Sequence, residues 1–257
     1  MKQTNPVLLL MICLASFCSL HAQEHKINVL NSKDGKLTLN NFCNDLSIEG
    51  YSGNEIIIVS SLPAETPEKA KGLKSVYARG TDNTGIGLEV EKNGSHVILQ
   101  YLLAPTKGAT YKIKVPDNFS IEIATECKYL GDVSVSNIKG EVAIKNCRNI
   151  TAKNIQGPLV LSTTAGSINV HFAALTKGNP VSLASIGGEI DVTVPATSAM
   201  DVELKSFTGT IYSDFSFPDD KKSSKKVGGS NISSKLNGGG TSVTITNTTG
   251  NIYLRKG

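Results

Sequence analysis

Between Ser136 and Val170 the chain repeats one phrase of nine residues: SNIKGEVAI, KNCRNITA, KNIQGPLVL and STTAGSINV, the second copy one residue short. The phrase precedes this stretch as CKYLGDVSV (127–135) and returns as ASIGGEIDV (184–192), KSFTGTIYS (205–213) and TNTTGNIYL (246–254). Its fifth place is usually glycine, as at Gly131, Gly140, Gly157, Gly166, Gly188, Gly209 and Gly250. Its seventh place is aliphatic in every copy, and its ninth mostly so. Apolar residues two apart are the period of a strand with alternate side chains turned inward. The Asn and Gly ahead of them predict a turn whose backbone angles other residues resist. One such unit cannot bury its apolar stripe alone, whereas stacked copies can.

Two phrases together span 17 or 18 residues, and later copies stand 22 and 21 residues apart. The expected fold is therefore all-β, a parallel β-helix (β-solenoid) with about 17–22 residues per coil. The alternative is an antiparallel β-sandwich built from nine-residue hairpin arms. Composition suits either architecture, since aromatics make up 5% of the chain, tryptophan is absent, and Val, Ile and Leu must carry the burial. The front half alternates in the same way, in KLTLNNF, DLSIEGYSGNEIIIV, GLEVEKNGSHVILQYLL and TYKIKVP, and Thr66–Val76 is expected to hold one short surface helix. Phe217–Gly240 is polar and glycine-rich and reads as a flexible loop leaving the stack.

Residues 1–22 have the layout of a secretory signal peptide: Lys2, the apolar run Val7–Leu20, then Leu20-His21-Ala22 before a cut at Gln23. Lipoprotein processing is the competing expectation, but Ile12 and Phe17, ahead of Cys13 and Cys18, are larger than that processing prefers. The mature chain is then one domain, 23–257, exported to the periplasm, the outer-membrane surface or the medium, with no further membrane-spanning stretch. It keeps Cys43, Cys127 and Cys147, an odd number and so no disulfide framework. Cys147 holds the phrase position of Ile138 and Ile155 and reads as a small core residue, with a Cys127–Cys147 bridge as the other option.

A longer repeat is superimposed on the short one. YKIKVPDNFSIEIATECKYLGDVSV (111–135) matches EIDVTVPATSAMDVELKSFTGTIYS (189–213): a strand ending in Val-Pro, a polar link, a second strand, then Gly-x-Ile/Val. Pro116 and Pro195 mark places where a strand stops and the chain turns. With its serial Gly-x-[Val/Ile]-x-[Val/Ile] phrases, the mature chain resembles bacterial adhesin-like domains of the head GIN and auto-transporter-adhesin type. That resemblance implies an exported β-helical envelope protein with adhesion as its role. It brings no catalytic residue, metal ligand or cofactor.

The residues themselves point away from catalysis. His25, His96 and His171 are isolated in sequence, and no HExxH, CxxC, P-loop or Gly-x-Ser-x-Gly occurs. A β-helical lyase or hydrolase acting on polysaccharide is the enzymatic alternative. Its candidate acids are Asp132, Glu141, Glu189, Asp191 and Asp201, which fall on solvent-facing places of the phrase. Tyr51, Tyr101, Tyr212 and Tyr253 are the candidate sugar-stacking rings. The net charge of +4, or +3 without Lys2, comes without the clustered Lys/Arg and interleaved aromatics of a nucleic-acid surface. The densest basic run, Lys221, Lys222, Lys225 and Lys226, is a candidate ligand-contact loop toward anionic lipid or glycan, tempered by Asp219 and Asp220. The expected partner is a surface protein or a glycan, with no cofactor and no metal.

Overall fold

A computed structural model of the chain describes residues 23–29, 35–62, 67–124, 131–217 and 229–257. The front half holds β1 (Gln23–Asn28), β2 (Lys36–Asn40), β3 (Leu46–Tyr51), β4 (Glu55–Ser60), β5 (Val76–Tyr77), β6 (Gly80–Thr81), β7 (Leu88–Asn93) and β8 (His96–Tyr101). The middle holds β9 (Tyr111–Pro116), β10 (Ser120–Ala124), β11 (Val133–Ser136), β12 (Val142–Asn146), β13 (Ile150–Lys153), β14 (Leu159–Thr163) and β15 (Ile168–His171). The end holds β16 (Val181–Ser185), β17 (Ile190–Val194), β18 (Met200–Ser206), β19 (Ile211–Ser213), β20 (Ser230–Leu236), β21 (Thr241–Asn247) and β22 (Ile252–Lys256). Where a surface helix is expected, the described residues contain one 3-10 turn, Glu68–Ala70.

The protein is all-β. Strands β5 and β6 form a small hairpin, and the other strands form two ten-stranded mixed sheets. The first sheet runs β1-β4-β9-β3-β11-β13-β15-β17-β22-β19, and the second β20-β18-β21-β16-β14-β12-β10-β2-β8-β7. From β10 to β17 the chain alternates between the sheets, and each strand pairs in parallel with the strand two places on. Each nine-residue phrase thus supplies one strand, and successive phrases feed opposite sheets. Antiparallel pairs sit toward the ends, at β1–β4, β4–β9, β7–β8 and β18–β20. The two sheets share one hydrophobic core, as in a sandwich, while their central pairing is parallel.

Like side chains meet along this core. Ile150, Ile168, Ile190 and Ile252 face one another strand to strand, and all four are fully buried. Full burial of one such side chain stabilises by about 1.5–3 kcal/mol. At the front end the core widens, and Phe42, Tyr101 and Tyr111 fill it as a ring cluster with centroids 5.5–6.0 Å apart. The buried hydroxyls find partners: Tyr111 donates to the Ile86 carbonyl at 2.7 Å, and Tyr101 accepts from Asn44 at 3.0 Å. Burial pushes the Tyr101 phenol up to about 12 and the Tyr111 phenol higher still.

Layer order departs from chain order at two places. Counting one strand from each sheet as a layer, the layer β2/β3 lies between β8/β9 and β10/β11. The layer β21/β22 lies between β16/β17 and β18/β19. Both skipped layers are bridged by the links of the longer repeat, β9 to β10 after Val115-Pro116 and β17 to β18 after Val194-Pro195. Each link turns with the same backbone bond, Phe119 N–H to Pro116 O at 3.0 Å and Ser198 N–H to Pro195 O at 2.9 Å. The corners expected at the two prolines therefore carry the chain past a layer made by a distant segment, an earlier one at Pro116 and a later one at Pro195.

The glycines of the phrase are required for a reason other than the one expected from turn chemistry. Gly166, Gly188, Gly209 and Gly250 do not take positive φ; Asn137 and Asn154 do, at 59° and 54°. Instead the neighbouring layer's backbone lies where a side chain would go. A Cβ on Gly188 would meet the Gly166 carbonyl oxygen at 2.0 Å, and one on Gly250 would meet that of Gly188 at 2.1 Å. Part of the segment expected to be a flexible loop is strand: Ser230–Leu236 pairs antiparallel with β18 and covers its edge. Its alternating Ser, Ile and Lys are a polar edge strand, which the local glycine content obscures. Residues 218–228 of that segment lie outside the described residues, as does the expected signal peptide.

Candidate functional site

Two polar columns hold the layers together and absorb much of the chemistry visible in the sequence. The first is buried. Asn146, Thr163, Ser185 and Asn247 end successive strands of the second sheet and donate to the Gly131, Arg148, Gly166 and Gly188 carbonyls of the preceding layer. Thr163, Ser185 and Asn247 also accept the N–H of the glycine three residues on. The sequence carries this as [Ser/Thr/Asn]-x-x-Gly, a signal that a search for catalytic motifs passes over.

The second column is exposed. Asp45 Oδ1 accepts the Asp132 N–H at 2.9 Å, Asp132 Oδ1 accepts the Asn149 N–H at 3.2 Å, and Asn149 Oδ1 accepts the Ser167 N–H at 2.9 Å. Ser167 Oγ accepts the Glu189 N–H at 3.2 Å, and Asn251 Oδ1 accepts the Thr210 N–H at 3.0 Å. Asp132 and Glu189, two candidate catalytic acids, are thus members of the ladder that fixes one layer on the next. Asp191 forms a two-oxygen pair with Arg255 Nε at 2.8 and 3.0 Å, Asp201 pairs loosely with Lys235 at 3.8 Å, and Glu141 is exposed. The structure does not gather these acids into one cluster. Among the described residues no three His, Cys, Asp or Glu side chains converge as a metal would need.

The remaining candidates separate by position. Tyr101 is in the core, and Tyr51 folds over its own turn to donate to the Glu55 carbonyl at 2.9 Å. Neither is a sugar platform, because each ring was placed inward or sideways by the strand it begins or ends. His96 is half-buried and bonds Thr38 Oγ1 at 2.9 Å, beside the Lys36–Glu122 pair at 2.7 Å. Lys36 holds the Glu122 carboxyl below its usual range. His171 is exposed on β15. Cys43 is free and half-buried, its thiol pushed up by burial against the pull of Arg79. Cys147 is buried as expected and is disulfide-bonded; Cys127 lies outside the described residues. So do Lys221, Lys222, Lys225 and Lys226, the candidate contact loop.

One surface combines several unspent groups. Register places Ser47 opposite Lys112, Ser134 opposite Ser47, Thr151 opposite Ser134 and Asn169 opposite Thr151 on the outward face of the first sheet. The same row continues through Asp191 and Tyr253 to Tyr212 on the edge strand β19. Ser47, Ser134 and Thr151 floor a furrow of about 390 Å³, rimmed by Asp45, Asp132 and Asn149. Among the described residues the side chains of Ser47, Ser134, Thr151 and Asn169 make no hydrogen bond. At the far end Tyr212 and Tyr253 stack, with centroids 5.3 Å apart and planes 10° off parallel. Arg255 packs over the Tyr253 ring at 5.2 Å, and the Tyr253 hydroxyl donates to Glu189 at 3.2 Å. Tyr212 stays 51% exposed, because no strand follows β19.

No family model matches the chain, and no curated protein matches it. Among solved structures it is similar to a candidate cell adhesion protein from Clostridium sporogenes ATCC 15579, at 13% identity, 92% of this chain, 100% of that one and a TM-score of 0.46. It is also similar to a candidate adhesin from Bacteroides fragilis NCTC 9343, at 13% identity, 91% of this chain, 96% of that one and a TM-score of 0.32. At these values the likeness is too loose to transfer an activity or a site.

Proposed function

We propose that the chain is a non-catalytic exported interaction module whose two sheets are the faces of a β-solenoid, residues 23–257, released from the signal peptide 1–22. Parallel in-register pairs along the stack support the solenoid, since each pair of phrases returns the chain one strand spacing further on. The observation that carries the function is the row of small polar side chains on the first sheet, which the fold leaves unpaired while it engages most other polar groups nearby. Such a row gives a partner hydrogen bonds without demanding a pocket, which suits adhesion at a cell envelope. Of the acids that a glycan-cleaving enzyme would need as a pair, Asp132 accepts within the ladder, Glu189 accepts from the Tyr253 hydroxyl and Asp191 is bridged to Arg255. No helix among the described residues is long and apolar enough to cross a membrane.

The test is retention of purified Gln23–Gly257 on washed bacterial envelopes, set beside a variant carrying Ser134→Lys and Thr151→Lys. Saturable retention of the native chain that the variant loses is the expected result. Equal, non-saturating retention of both proteins would overturn the module.

A further inference from the structure

We infer that the outward row of the first sheet, from Lys112 on β9 to Tyr212 on β19, is a binding track for one linear chain of uncharged pyranose sugars lying across the strands. The inference rests on the reading of the protein as an interaction module and names its ligand. Three features of the row carry it.

The first is spacing. The row crosses eight neighbouring strands about 4.8 Å apart, so it offers one side chain per step over roughly 33 Å. That step is close to the advance of an extended glycan per ring, so each successive sugar can meet the outward side chain of the next strand. The second is chemistry. Hydroxyls at Ser47, Ser134 and Thr151 and the amide of Asn169 both donate and accept, which matches sugar hydroxyls and favours neither a cation nor an anion. Charge on and beside the row is of both signs and nearly balanced: Lys112, Arg148 and Arg255 stand among Asp45, Asp132, Glu189 and Asp191, the last paired with Arg255 at 2.8 Å. A charge-compensated face attracts no polyanion and suits a neutral chain.

The third feature is the aromatic end. Tyr253 and Tyr212 stack along the direction in which the strands succeed one another, so the second ring closes one face of the first. Tyr212, on the last strand of the sheet, keeps its outer face open. An apolar ring face at the end of a hydroxyl-lined track is where the C–H face of a terminal sugar stacks.

The experiment titrates Gln23–Gly257 calorimetrically with cellohexaose, chitohexaose and maltohexaose, each beside its disaccharide, and with hexagalacturonate as the charged control. At least one neutral hexamer is expected to bind at least tenfold more tightly than its disaccharide, with no binding of hexagalacturonate. Thr151→Lys, which obstructs the middle of the row, is expected to abolish binding, and Tyr212→Ala to weaken it about tenfold. Asn169→Lys, at an exposed position, repeats the obstruction should Thr151→Lys fail to fold. Binding that survives these substitutions would overturn the track, as would tighter binding of hexagalacturonate. No neutral hexamer binding, with saturable envelope retention intact, would overturn the glycan and leave the module standing. Loss of both would remove both.

Discussion

Gly187 and Gly188 are adjacent, and the structure assigns them opposite tolerances. A Cβ on Gly188 would sit 2.0 Å from the Gly166 carbonyl oxygen, 2.3 Å from its carbon and 2.6 Å from the Ser167 nitrogen, all backbone atoms of the next layer. That is about 1.4 Å short of ordinary contact, and no rotamer can relieve it. The layers β14/β15 and β16/β17 must move apart locally, which breaks the Ser185 hydroxyl bond to Gly166 O at 3.1 Å and stretches the Ile168 N–H bond to Glu189 O at 2.9 Å. Each buried hydrogen bond left unmade costs about 1–3 kcal/mol, so Gly188→Ala should destabilise by about 3 kcal/mol or more. On Gly187 the nearest atom to a new Cβ is the Thr164 carbonyl oxygen at 3.2 Å, a few tenths of an ångström from ordinary contact. Its φ is not positive, and the stiffer unfolded chain returns about 0.4–1 kcal/mol. Gly187→Ala should therefore stay within about 1 kcal/mol of the native protein. Urea unfolding followed by far-ultraviolet circular dichroism, at equal m-values, reads both. Equal midpoints for the two variants, or a Gly188→Ala midpoint matching the native one, would refute close layer approach as the reason for the glycine.

Three other outcomes follow from the same architecture. Deleting residues 241–257 removes a layer from inside the stack, not its end, so β18 and β19 lose their parallel neighbours; limited proteolysis should then cut within 200–213, where the full chain resists. Ser185→Ala should cost about 1–3 kcal/mol in urea unfolding, because the Gly166 carbonyl and the Gly188 N–H both lose their partner, and Ser185→Asn should recover much of it, as Asn247 fills the equivalent place. Tyr101 is fully buried and its phenol is pushed up to about 12, so the folded state holds its proton longer than the unfolded one. Its contribution is complete below pH 10 and lost as the pH rises toward 12; alkaline unfolding would show that fall, and Tyr101→Phe would lessen it, leaving the part that Tyr111 carries.

The four lysines singled out for contact and the tyrosine row that the structure offers illustrate what sequence can and cannot deliver about a site. Lys221, Lys222, Lys225 and Lys226 stand out because they are dense in sequence. Lys112, Ser47, Thr151 and Tyr212 are scattered over a hundred residues and are bland one by one; only strand register makes them a surface. Tyr101 and Tyr212 look alike in sequence, each within an alternating run, yet one fills the core and the other ends a stack in solvent. Asp132 and Glu189 were legible as outward-facing residues, but not as rungs between layers, Asp132 accepting the Asn149 N–H and Glu189 donating its own N–H to Ser167.

The sequence by itself determined the all-β class, the strand placed at the end of each phrase, the inward face of those strands and the two corners at Pro116 and Pro195. These are local properties: alternation of period two and a missing proline N–H act within a few residues. The tertiary structure alone decided the order of the layers, with residues 36–51 and 241–256 inserted where the Val-Pro links skip a place. The physical reason lies in the repetition. An aliphatic strand gains nearly the same pairing and burial beside any other copy of the phrase, so the repeat cannot specify which copies become neighbours. That choice falls to contacts between distant segments, in the glycine-to-carbonyl approaches, the buried Ser, Thr and Asn bonds and the β20 edge, and those exist only once the layers have met.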